Sequence, residues 1–468
     1  MNTIQMYDAQ ADSIKIEDIA ANYNNRVILR RIKRNSPEAL WIQNHHDADG
    51  EDCEDYVPES ANDMGWLGYF IGKNNQMEAL IITPFTPPSG SSVMDVLEPF
   101  LTGVNNNRSI THLVFRELQF DLLDGKAFTM LSSFFKNNNN LTKLEISNCT
   151  LGVKGPRLLA LAIGSNKHKS FQNITLSGTI ITSKELVDII TALSVHPHLQ
   201  HLNLDGNCLD HNSCKALATL LQNSATELQV LDLSNNEIDD AGVKALVPAL
   251  KNCSHLETLR FNHNSSITTK GWQQFATVLE APNSNLEELI IERNNVDDEA
   301  VAKFASALVN NHSLKTFNLG RMNWSTDGHF AFSKLVCNTA SVNSTFLSNH
   351  TLRHVTVLSD VSSQPILVLN KRRDKKEVAI IKVLQYHNDF DMTPFFEWEF
   401  KVLPLMIDWF KRASAITRMP TSCGRRIRPT KLSSIYQFVR GMPLLYVETC
   451  QRKELKTISK PHDDSGMM

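Results

Sequence analysis

Three histidines fall within six residues, at His196, His198 and His201, and two more adjoin at His45 and His46. Imidazoles can hold zinc, but a zinc site needs three or four ligands at set spacing, and no Cys/His pattern of that kind accompanies them. His198 and His201 flank Leu199, which places them at a strand edge facing solvent. The carboxylates Asp205, Asp232 and Glu292 recur at equivalent places in successive segments and could suggest acid–base work. An open, wet sheet offers no burial that would turn them into an acid–base pair. The stretch from Asp47 to Pro58 imitates a calcium loop, with Asp47, Asp49 and Glu51 at the first three ligand positions. Asp52 then stands where glycine is required and Pro58 where the bidentate glutamate belongs, so a solvated acidic loop is expected. Val378-Ala-Ile-Ile-Lys382 imitates the lysine strand of protein kinases, but it has one residue too many and no glycine-rich loop before it. No phosphate-binding loop, zinc-protease helix or nucleophile elbow is present. The expectation is a non-enzyme with no catalytic residue, cofactor or metal, and no small-molecule substrate.

Bulk composition narrows the partners. The chain has 468 residues and a formal net charge of -3, so nothing global points to nucleic acid. Charge is uneven: residues 35–63 carry nine acidic side chains and no Lys or Arg, whereas residues 359–468 carry 19 Lys+Arg against 12 Asp+Glu. The start lacks an apolar signal core, and no run approaches the roughly 18 apolar residues of a membrane helix. Eight scattered cysteines fit a reduced compartment. The expected location is therefore the cytoplasm or nucleus, without secretion or membrane contact. Ten N-x-S/T sequons, Asn140-Leu-Thr and Asn173-Ile-Thr among them, are expected to go unused.

The elements that would carry these side chains come from a repeat, L-x-x-L-x-L-x-x-N-x-L. One unit has Leu199, Leu202, Leu204, Asn207 and Leu209. Others have Leu228, Leu231, Leu233, Asn236 and Ile238, or Leu286, Leu289, Ile291, Asn294 and Val296. Leu256, Leu259, Phe261 and Asn264 form another, with Ile267 displaced by one insertion. Weaker copies open at Met77, Ile110, Leu141, Phe171, Leu314 and Leu352. From Ile110 to Leu314 the spacings are 31, 30, 28, 29, 28, 30 and 28. Alternation makes L-x-L a short strand with both leucines on one face. The Asn follows where the chain turns, and its amide can satisfy backbone groups that the bend orphans. Cys149 and Thr179 replace it in two units. Leu118 and Met322 cannot do its job, so looser turns are expected there. The second half of each unit reads as helix: Val243, Leu246, Val247 and Leu250 form one stripe behind an N-cap at Asp239 or Asp240. Phe304, Ala307 and Leu308 repeat it behind Asp297 and Asp298.

A unit of 28–29 residues with this pattern and a full helix resembles the ribonuclease-inhibitor-type leucine-rich repeats, which also occur in NOD-like receptors and in the activator of the Ran GTPase. The resemblance covers about Met77 to Leu358. It implies an α/β solenoid, a horseshoe with an inner parallel sheet and outer helices, and protein binding as a tendency of the family. Residues 1–36 are expected to be a helical or flexible segment, with a helix near Ile16–Tyr23 and a basic end. Residues 37–358 are the solenoid, in which 37–76 form a degenerate first unit with an acidic loop. Residues 359–451 are expected as a helical C-terminal cap and 452–468 as a flexible tail. EWEFKVLPLMIDWF and KLSSIYQFVRGMPLLYVE are similar to tails of predicted leucine-rich-repeat proteins of diatoms. The basic runs 371–376 and 424–431 could be import signals or anion patches, and exposed charge is the simpler account.

The non-leucine positions of each strand face away from the core. They read Asn203 and Asp205, then Asp232 and Asn235, then Arg260 and His263, then Glu292 and Arg293, with Arg321 last. Glu145, Asn262 and Asn318 join them. Arginine forks bind carboxylates bidentately, which suits recognition of a protein. The functional expectation is an intracellular scaffold or adaptor that binds a protein on the concave sheet. The alternatives are a small-GTPase regulator resembling the Ran GTPase activator, and an immune-type sensor. Against the latter stands the lack of an accompanying nucleotide-binding domain.

Overall fold

The computed structural model describes residues 3–36, 38–44, 55–120, 126–166, 168–225, 227–320, 325–356, 364–372 and 374–387. It divides into two compact units, Met1–Ala331 with His354–Val357, and Phe332–Arg353 with Leu358–Met468.

In the first unit each anchor leucine opens a coil. The strands are β1 (Ala39–Ile42), β2 (Asp55–Tyr56), β3 (Ala79–Ile82), β4 (His112–Arg116), β5 (Lys143–Ser147) and β6 (Asn173–Ser177). They continue as β7 (His201–Asn203), β8 (Val230–Asp232), β9 (Thr258–Arg260), β10 (Glu288–Ile290), β11 (Thr316–Asn318) and β12 (His354–Val355). All pair in parallel in one open sheet of 12 strands. From β3 onward each strand lies beside its successor, with β1 beside β3 and β2 outside β1 as the edge. The register aligns the leucine column coil by coil: Leu113 opposes Leu144, Leu202 opposes Leu231, and Leu259 opposes Leu289. These side chains are fully buried or nearly so, and the residues between them alternate to the open side. One coil exposes its own apolar edge, and stacking removes that edge from water at about 25 cal/mol per Å².

Helix starts follow the acid pairs read from the sequence, with a division of labour. Asp239 caps its own helix, Asp240–Asn252, by accepting the Gly242 N–H at 2.8 Å. Asp240 reaches instead to the next coil and accepts from Thr268 N at 2.8 Å and Thr268 Oγ1 at 2.6 Å. Asp297 accepts from Ala300 N, while Asp298 accepts from Ser325 N. One acid thus satisfies orphaned helix donors and its neighbour ties two coils together.

The N-terminal edge departs from expectation in two ways. Instead of one helix over Ile16–Tyr23, the chain forms helices Thr3–Gln10, Ile16–Ile19 and Tyr23–Lys33. The break comes at Asn22, which caps the third helix through Asn24 N and Asn25 N. Glu59 clamps that break by accepting from Ala21 N at 2.7 Å and Asn25 Nδ2 at 2.6 Å. The basic residues Arg30, Arg31 and Lys33 sit in the last turn, where the helix dipole favours cations. The acidic stretch, expected to be a solvated loop, is not solvated at its end. Asp55 and Tyr56 are buried as the edge strand β2, and Tyr56 Oη donates to buried Asp63 Oδ2 at 2.9 Å. Asp63 also closes a capping box with Ser60. The calcium-loop positions Asp47, Asp49, Glu51 and Asp52 lie outside the described residues.

Helices Ala61–Lys73 and Val93–Val104 approach closely because Gly68 and Gly103 face each other. A Cβ on Gly68 would stand 2.2 Å from the Phe100 carbonyl oxygen, and one on Gly103 2.2 Å from Gly68 C. Only glycine allows that contact.

In the second unit the kinase-like Val378–Lys382 lies within the helix Lys375–Tyr386, not on a strand. Lys382 is buried and donates to Val336 O at 2.7 Å and Asn349 O at 3.1 Å, with His350 Nδ1 at 3.0 Å. Burial pushes its pKa down to about 7. Within the basic run 371–376, Arg372 pairs with Glu377, and Lys375 donates to Asn370 O. Residues 424–431 and the aromatic segments beyond residue 387 lie outside the described residues.

Candidate protein-binding face

Two bends per coil set the geometry of the open face. Where the chain leaves the strand, the amides of Asn207, Asn236, Asn264 and Asn294 are buried. Asn236 Nδ2 donates to Leu204 O of the previous coil at 3.0 Å, and to Leu233 O and Ser234 O of its own. Its Oδ1 accepts from Leu209 N at 3.0 Å. Asn207 and Asn264 repeat this set, and Asn294 accepts from Asn264 N at 2.6 Å. Cys149 fills the place more weakly, with Leu118 N donating to its Sγ at 3.3 Å. Leu118 has no amide to offer, and its carbonyl accepts from Thr150 N at 3.0 Å. Met322 lies outside the described residues.

A second ladder stands where the chain enters the strand, and sequence reading missed it. Asn74, Asn107, Asn138 and Asn311 are buried three residues before their anchors Met77, Ile110, Leu141 and Leu314. Asn107 Nδ2 donates to Ile71 O at 2.7 Å and Asn74 O at 2.9 Å, while its Oδ1 accepts from Ser109 N and Ile110 N. His196 occupies this place in its coil. It is fully buried, its Nε2 is 3.2 Å from Ile163 O, and its ring lies 4.9 Å from that of Phe171. The histidine trio is therefore split between core and surface: His201 Nδ1 is 3.2 Å from Asn173 Nδ2, and His198 pairs with Glu227 at 3.2 Å.

On the open face Asn203, Asp232 and Arg260 are successive register partners. Arg260 lies between carboxylates, 4.0 Å from Asp232 and 3.5 Å from Glu288. Asp205 accepts from Asn235 Nδ2 at 2.6 Å and Ser177 Oγ at 3.0 Å. Glu292 accepts from Asn318 Nδ2. Arg293 NH1 is 2.9 Å from His263 Nε2. Arg321 lies outside the described residues. The structure thus joins the predicted residues into short chains of contacts. It adds Glu288, and at the other end Arg116, which pairs with Glu145 at 2.7 Å and lies 5.8 Å from the centre of the Trp41 ring. The missed residues carried the same outward register, and alternation through β1, β4 and β10 could have found them.

Burial pushes the thiols of Cys149 and Cys253 up to about 11 and that of Cys214 to about 12, which keeps them protonated and unreactive at neutral pH. Among the described residues no group of three or more His, Cys, Asp or Glu stands close enough to hold a metal ion. No helix among them is long and apolar enough to cross a membrane.

A family model described as Leucine Rich repeat matches residues 137–160 and 283–305, and one described as PRAME C-terminal domain matches residues 170–275. The repeats are leucine-rich repeats, and they are similar to those of NOD-like-receptor proteins. The chain is 27% identical over 226 residues to mouse NACHT, LRR and PYD domains-containing protein 14, covering 48% of this chain and 22% of that protein. It is 26% identical over 213 residues to human NACHT, LRR and PYD domains-containing protein 5, covering 45% and 18%. The chain therefore matches only about a fifth of these relatives' length. Among solved structures, yeast Rad7 in complex with Elc1 aligns with TM-score 0.40 and 15% identity, over 76% of this chain and 87% of that one. An internalin from Listeria monocytogenes aligns with TM-score 0.38 and 13% identity, over 73% and 90%.

Proposed function

We propose that this chain is a non-enzymatic protein-binding scaffold or adaptor of the cell interior that uses the open face of its sheet. The observation that carries the reading is the outward register of β4–β11, which sets charged and polar side chains in continuous columns. Such a face offers many shallow anchors of the kind a protein interface uses. Neither nucleic acid nor a membrane is needed as a partner. The test is simultaneous charge reversal, Arg260→Glu, Arg293→Glu and Arg321→Glu, in the full chain, with a partner recovered by affinity purification. Capture should be lost with the chain still folded by circular dichroism, the unfolding temperature falling only slightly because Arg260→Glu adds a third carboxylate beside Asp232 and Glu288. Undiminished capture would sink the open-face reading.

The similarity to NACHT, LRR and PYD proteins favours one second reading, the immune-type sensor. A sensor should change its assembly state on meeting its ligand, whereas a scaffold should hold two partners at once. Sedimentation of the complex separates the two.

A further inference from the structure

Seven residues after the anchor that opens each coil, seven successive coils place a residue in the left-handed backbone region, from Glu117 to Arg293. Backbone bonds align these positions from coil to coil: Gly206 N donates to Ser234 O, Asn235 N to Asn262 O and His263 N to Glu292 O. Glycine adopts this conformation without steric cost, and two coils use it, at Gly178 (φ 60°) and Gly206 (φ 66°). Asparagine, as at Asn235, is tolerant there. Histidine also tolerates it, so His263 (φ 53°) carries little strain, whereas Arg293 (φ 56°), like Glu117 (φ 55°), gains nothing from the backbone and carries its strain.

Both side chains are exposed and turn towards each other, 2.9 Å apart at Arg293 NH1 and His263 Nε2. Arg260, further inside the face, is already held between Asp232 and Glu288. Among the described residues no carboxylate lies within ion-pair distance of Arg293. Its remaining guanidinium donors form a fork of the kind that takes a carboxylate in two parallel hydrogen bonds. Resting on the open-face reading above, we infer that His263 and Arg293 form the lip that sets specificity, and that this lip takes a carboxylate from an acidic segment of a protein partner. The strained backbone keeps the Arg293 side chain at a place where glycine would serve the fold better, with His263 beside it.

A phage-displayed library of random 12-residue peptides, panned on the full chain, supplies the probe. The selected peptides are titrated against the wild type, Arg293→Gly, His263→Gly and Asn203→Trp, the last obstructing the middle of the face. The selected sequences should be rich in Asp and Glu. Arg293→Gly should weaken them about tenfold and His263→Gly about threefold. Arg293→Gly should unfold about 1–3 °C higher than the wild type, because glycine relieves the left-handed strain. Basic or neutral selected peptides, or acidic ones that bind Arg293→Gly like the wild type but lose Asn203→Trp, would overturn the lip and leave the open face standing. An unfolding temperature that falls in Arg293→Gly would overturn the strain argument and the lip with it. No selection, or binding indifferent to all three variants, would overturn both readings.

Discussion

The coils of β3–β5 and those of β7–β10 solve the same problem at opposite ends of the strand. In β7–β10 the stapling amide follows the strand, at Asn207, Asn236, Asn264 and Asn294. At the entry to three of these strands stand His196, Ala225 and Cys253, which carry no amide. In β3–β5 the arrangement is reversed. Asn74, Asn107 and Asn138 staple the entry, and the exit holds Phe85, Leu118 and Cys149. The coil of β6 is intermediate, with Asn166 accepting from His168 N at the entry and Thr179 at the exit. One buried side-chain amide per coil suffices to tie it to its predecessor, and either bend can host it. What the coil cannot tolerate is a bend of orphaned carbonyls and N–H groups at both ends.

The comparison breaks most sharply under alanine. Asn236→Ala strips partners from three carbonyls and one N–H, and Asn107→Ala from two of each. Each should cost about 3 kcal/mol. Hydrogen exchange should then accelerate in β7–β9 for the first variant and in β3–β4 for the second. Exchange that rises in only one of them would show that the two ladders are not equivalent.

A somewhat smaller effect is expected at the glycine contact between the helices Ala61–Lys73 and Val93–Val104. Gly68→Ala would press a Cβ to 2.2 Å from the Phe100 carbonyl and should cost about 2–3 kcal/mol by denaturant unfolding.

His196 offers a way to sharpen the comparison through pH. Burial lowers its pKa below the ordinary imidazole value. The unfolded chain therefore binds a proton more readily than the folded one, so stability falls as pH drops through about 6.5 and below. His196→Asn should flatten this acid limb and supply the missing entry amide. An unchanged slope of stability against pH between 7 and 5 would contradict that assignment. The smallest effect belongs to Thr179→Asn, which completes the exit ladder of β6 and should stabilise by about 1 kcal/mol or less.

Much of this fold is legible in the sequence because the anchors recur with little variation. Leu202, Leu231, Leu259 and Leu289 and the exit asparagines announce the strands and their turns. The entry asparagines are harder to see. They lie inside polar runs such as 137–140, where four successive asparagines read as an unremarkable turn, and only Asn138 is buried. The edge strand β2 was hidden because two residues among acids carry no periodic signal. On the open face the outward positions follow from alternation. Which arginine is already satisfied does not, since Arg260 meets Glu288 and Asp232 from strands on either side, and Arg116 meets Glu145 across 29 residues.

The central claim is that a protein partner covers the open face of the sheet. Hydroxyl-radical footprinting of the full chain, alone and in complex with an affinity-purified partner, tests it directly, because it reads side-chain exposure. Protection of His201, His263 and Arg293, with Leu161 (61% exposed) and Phe330 (59%) on the helices left reactive, is the predicted result. Protection of the helix residues with His201, His263 and Arg293 still reactive would contradict it.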